Sequence, residues 1–183
     1  LSSGGTGYPL LGFENGGAVG DEIEFRFPAN VDDTTQFTTS SGTIRVIGSN
    51  ARIIVDRDIP YSDTDTSIDC STANTLCLGA LTRLNTIIDN NLVPFATSLA
   101  GTLSDVNGNG LFTIVITNLM NSIPDTDGVS GDLPASVPKH GFTMETDLMA
   151  NSATNVSNEG EFIFVHSADP NGNFLSSDPI GLA

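Results

Sequence analysis

The sequence is poor in positive charge. It holds a single lysine, Lys139, and its 183 residues carry 6 Lys and Arg against 22 Asp and Glu, a formal charge of -16. Neutralising phosphates takes clustered Lys and Arg, so nucleic acid is excluded as an expected partner. An anionic membrane surface is disfavoured for the same reason. No run approaches the roughly 18–20 apolar residues that span a bilayer, so no membrane insertion is expected. The chain opens Leu1-Ser-Ser-Gly-Gly-Thr-Gly without a basic, hydrophobic leader, which implies a targeting segment removed or never present. Charged residues make up only 15%, so Thr, Ser, Asn and Gly must supply much of the polar surface. What the balance favours is cations, calcium first.

Chemistry-bearing motifs are equally sparse. His140 and His166 are the only histidines, and no His-Glu-x-x-His is present. There is no Gly-x-Ser-x-Gly elbow and no Gly-x-x-x-x-Gly-Lys phosphate loop. The 22 acids offer no distinguished pair for glycoside hydrolysis. No catalytic residue is therefore assigned. The two cysteines, Cys70 and Cys77, stand in a Ser/Thr/Asn context without Cys-x-x-Cys spacing. A local disulfide fits an exported protein, and two reduced thiols fit a cytosolic one.

What is present divides by period. With 38% hydrophobic residues and a mean hydropathy of +0.04, the composition supports a packed core. Glu22 to Phe27 alternates polar and apolar, as a half-buried strand does. Thr43–Ile47 and Ala51–Asp56 read as two more strands, joined by the turn Gly48-Ser49-Asn50 as a hairpin. Residues 61–75 read as a polar loop. Leu81, Leu84, Ile88, Leu92, Phe95 and Leu99 then recur at helical spacing and predict one core-facing helix, kinked or divided at Pro94 and capped at Gly101. Leu111–Thr117 predicts a buried strand, 121–141 a long loop, and Glu161–His166 another strand. The expected class is α+β, with a β-rich unit at 1–60 and a helix-plus-sheet region at 61–183.

Asp105-Val106-Asn107-Gly108-Asn109-Gly110 is the sharpest local motif. Oxygen-bearing side chains at positions 1, 3 and 5, glycine at 6 and a following backbone carbonyl at Leu111 match the opening of a calcium loop. An EF-hand is excluded, because Ile116 stands where its bidentate glutamate belongs and a strand follows. The alternative is an Asx turn held by its own side chains. Asp169, Asn171 and Asn173 repeat the spacing as a second, weaker set, with Asp125-Thr-Asp127-Gly128 and Asp63-Thr-Asp65 as shorter versions.

Four segments carry a family resemblance. Ala51-Arg-Ile-Ile-Val-Asp-Arg57 resembles a strand ahead of the catalytic region in hyicolysin-type bacterial neutral zinc metallopeptidases. Asn85-Thr-Ile-Ile-Asp-Asn-Asn-Leu-Val-Pro94 is similar to the family's helix before an Asp-Val-Asp-Gly-Asn-Gly-type turn, and Asp105–Leu119 resembles that turn and its strand. Ser157-Asn158-Glu159-Gly160-Glu161-Phe162-Ile163-Phe164 resembles the Ser-Asn-Glu segment opening the strand before the zinc helix. The resemblance spans about 42–167 in order and implies the first half of a zincin-like catalytic domain, with 161–166 near the substrate-binding edge of the sheet. It implies peptide or protein substrates and zinc only in a longer protein that includes the His-Glu-x-x-His helix. This chain would be an amino-terminal portion, inactive alone, exported to the bacterial envelope or exterior and covered by a carboxy-terminal segment. The alternative is a complete extracellular calcium-stabilised binding or adhesion module.

Overall fold

The computed structural model describes residues 17–28, 37–73, 75–102, 104–119, 141–143, 145–148 and 157–167. The fold is mixed α+β. Among the described residues the strands are β1 (Glu22–Pro28), β2 (Phe37–Ile47), β3 (Ala51–Asp56), β4 (Tyr61–Ser62), β5 (Leu76–Cys77), β6 (Phe112–Thr117), β7 (Gly141–Phe142) and β8 (Phe162–His166). Six of them form one sheet in the order β1-β2-β3-β6-β8-β7, and β4 and β5 make a separate pair. The β1–β2, β2–β3 and β7–β8 pairings are antiparallel, while β3–β6 and β6–β8 are parallel. Residue 60 thus divides the chain inside one sheet, because β3 hydrogen-bonds directly to β6.

Parallel neighbours require a crossover, and helices supply it. α1 (Leu78–Ile87) runs through a π-helical turn (Ile88–Leu92) into α2 (Val93–Ala100), ending at Gly101. Pro94 explains the wide turn, since it has no N–H and its ring crowds the carbonyl four residues back. The Val93 N–H reaches back five residues to the Ile88 carbonyl. Asp89 fastens the helix to the β2–β3 turn, accepting from Ser49 N, Asn50 N, Asn50 Nδ2 and Asn85 Nδ2 at 2.9–3.1 Å. Gly48 makes room for this, because a Cβ there would overlap the Asn85 amide.

The expected core stripe is only half right. Leu81 and Ile88 are buried and Leu84 is partly so, but Leu92, Phe95 and Leu99 are 54%, 64% and 72% exposed. Length is the reason. Twenty-odd helical residues rise about 35 Å, whereas the six-residue strands beneath span about 20 Å. The distal turns of α2 overhang the sheet.

Two apolar layers sandwich the sheet. On the helix side Ile53, Val55, Ile114 and Ile116 pack with Leu81 and Ile88. On the other, Ile54, Val115, Phe162 and Phe164 meet Ile23, Phe25 and Phe27 of β1. β1 and β8 are separated by three strands, yet Phe27 and Phe164 lie edge to face with ring centroids 5.2 Å apart. The β1–β2 hairpin therefore curls back over the sheet. A bulge at Arg45, where the register slips between Ile44 and Val46, supplies the bend. The bulge also turns Arg45 over the Tyr61 ring, 4.4 Å from its centroid.

Candidate functional site

The Asp105 turn lies between α2 and β6. Each oxygen-bearing side chain accepts from the backbone ahead of it. Asp105 Oδ1 takes Gly110 N at 3.1 Å, Asn107 Oδ1 takes Asn109 N at 3.2 Å, and Asn109 Oδ1 takes Leu111 N at 2.7 Å. Gly110 sits at φ +70°, the left-handed conformation that position 6 of such a turn requires. This is the Asx-turn arrangement the sequence offered as the alternative to an ion site.

The structure adds a residue the local motif could not reveal. Glu161, 55 residues away, reaches across from the start of β8 and accepts the Val106 N–H through Oε1. Its Oε2 is buried without a hydrogen-bond partner, as are Asn107 Nδ2 and Asn109 Nδ2. A second carboxylate thus stands against the turn, and hard oxygen donors of this kind suit calcium. No sequence pattern links positions 105 and 161. Only the parallel β6–β8 pairing brings them together.

Asp169, Asn171 and Asn173 fall outside the described residues, as do Asp125, Asp127 and His140. Asp65 is engaged locally, accepting from Ser67 and from Ser71 N and Oγ, and these bonds hold its carboxyl down at about 2. Cys70 and Cys77 form a disulfide, with Cα atoms 5.5 Å apart, directly ahead of α1.

At the carboxyl ends of the parallel strands, Thr117 is in register with His166, and its Oγ1 donates to Asp56 Oδ2 at 2.6 Å. Asp56 also accepts from Asp58 N at 3.2 Å. Thr117 Oγ1 in turn accepts the Leu119 N–H at 3.1 Å, so both partners close strand ends. Among the described residues no group of three or more His, Cys, Asp or Glu converges to hold a metal. No helix among them is long and apolar enough to cross a membrane.

A third cluster was not foreseen. Asp147, in a 3-10 turn at Glu145–Leu148, accepts from Asn158 N at 2.8 Å and Asn158 Nδ2 at 2.9 Å, both through Oδ1. The same Asn158 amide brackets the β1 backbone, accepting from Arg26 N at 2.7 Å and donating to Arg26 O at 2.9 Å. Arg26 Nη1 donates to Ser157 O at 2.9 Å. Burial pushes the Asp147 carboxyl up to about 7, against the bonds from Asn158 and the charge of Arg26. Compared with models of known protein families and with curated proteins, the sequence matches none.

Proposed function

We propose that residues 42–167 are the scaffold of an exported zinc metallopeptidase-like domain, inactive alone. Its zinc helix would be supplied elsewhere in the complete protein. The observation that carries this reading is adjacency. Ala51–Asp56, Phe112–Thr117 and Phe162–His166, three segments of the resemblance, are neighbouring parallel strands, and the helical segment crosses between the first two. Ser157 and Asn158 open the third. The resemblance sets 161–166 near the substrate-binding edge, whereas β7 pairs with Phe164 and Val165 and leaves β8 one strand in from the sheet's end. The residues described here would align substrate by strand pairing, and no bond-breaking step is assigned to them. The Cys70–Cys77 disulfide supports export.

A second reading, an extracellular calcium-stabilised binding module, is favoured by Glu161. Its buried, unpartnered Oε2 beside the Asp105 turn is what an ion held by Asp105, Asn107, Asn109 and the Leu111 carbonyl would satisfy. The two readings part at the gene. Reading on from the Ala183 codon should reveal a His-Glu-x-x-His within a few tens of codons. A stop codon at that point would leave the binding module standing and the peptidase reading refuted.

A further inference from the structure

We infer that Asp147, Asn158 and Arg26 form a proton-operated clasp that fastens the curled β1 strand to the start of β8, closed when the Asp147 carboxyl is neutral and loosened when it ionises. The geometry is that of a side chain used as a strand. Asn158 bonds both the N–H and the carbonyl of Arg26, as a paired β-residue would, at the margin of β1 that β2 does not occupy. Asn158 is itself held by Asp147 through two bonds to one oxygen, and Asp147 O accepts the Gly160 N–H at 2.8 Å.

All of this is buried, with Asp147 1% exposed, Arg26 3% and Asn158 4%. Both Asn158 donors use Oδ1, and Oδ2 is buried without a partner. A neutral carboxyl tolerates that position. A carboxylate carries its second charged oxygen there with no donor, which is costly in a site shut off from water.

Among the described residues, the titratable side chains on the adjoining elements are Glu22, Glu24 and Arg26 on β1, Glu159 and Glu161 after Asn158, and His166 at the far end of β8. Burial raises the Asp147 carboxyl and outweighs the two Asn158 bonds and the Arg26 charge, which favour the ionised form. Because the folded carboxyl binds its proton more tightly than an open one, closure is strongest in acid. It weakens as pH rises from about 4 to about 7, and the loss is complete above that.

Amide hydrogen exchange on the intact chain, corrected for intrinsic rate, reads the clasp directly. Protection of the Arg26 and Asn158 amides should fall about 100-fold between pH 5 and pH 8, two pH units lying between 5 and the folded value. The Ile53 and Ile114 amides of the central strands should not follow. In Asp147→Asn, which keeps an oxygen for Asn158 and cannot ionise, the fall should disappear. If the variant does not fold, the wild-type series decides alone. An unchanged ratio at Arg26 and Asn158, or an equal fall at Ile53 and Ile114, overturns the clasp.

Discussion

Replacing Phe164 with alanine should destabilise the protein by about 3–5 kcal/mol, the ordinary cost of emptying a fully enclosed phenylalanine site. Phe164 is wholly buried on β8 and lies between Phe25, Phe27 and Phe162, with ring centroids 6.1, 5.2 and 6.1 Å away. It joins the curled hairpin to the parallel strands, so its loss opens the layer from both sides. The exposed helix end offers the contrast. Leu99 is 72% exposed, and Leu99→Ala should cost under about 1 kcal/mol, because little apolar surface is returned to water. Urea unfolding of the two variants against wild type measures both. Equal midpoints would contradict the layer assignment.

The second large effect belongs to Asn158. Asn158→Ala removes the partners of the Arg26 N–H and carbonyl and one of the two donors to Asp147 Oδ1. Each buried polar group left unsatisfied costs about 1–3 kcal/mol, so a total near 3–5 kcal/mol is expected. The cost should also be coupled. With Asp147 already changed to Ala, Asn158→Ala should cost measurably less than in wild type, since the bond between the two side chains is then already lost. Denaturant unfolding of the four-member cycle gives the coupling, and strict additivity would place the two residues in independent environments.

Local chemistry made much of the fold legible in the sequence. Alternation located β1, the Gly48-Ser49-Asn50 turn joined β2 to β3, and the apolar run after Gly110 gave β6. Pro94 marked a helix irregularity, and a π-helical turn lies directly before it. Periodicity failed at Leu92, Phe95 and Leu99 because it shows that a helix has an apolar face, not whether the sheet is long enough to meet it. The curl of β1 was illegible for another reason. It depends on Asn158 pairing with a backbone 132 residues away and on a one-residue bulge at Arg45, and neither leaves a local pattern.

The candidate site divides in the same way. Asp105, Asn107 and Asn109 stand out by spacing alone. Glu161 does not, because parallel pairing, and not sequence proximity, sets it beside the Val106 amide. The raised Asp147 carboxyl was invisible too, since burial causes it and burial is a property of the whole fold.

The proposed reading is a folded scaffold that does not hydrolyse peptides by itself, and the second reading adds calcium at the Asp105 turn. Metal addition to the chelator-stripped protein, with melting temperature and casein cleavage followed together, tests it most directly. Millimolar calcium should raise the melting temperature in wild type and not in Asp105→Ala, since an ion preferring the folded form must stabilise it. Zinc should produce no cleavage. Casein hydrolysis by the zinc-loaded chain, with melting indifferent to calcium, would contradict the account.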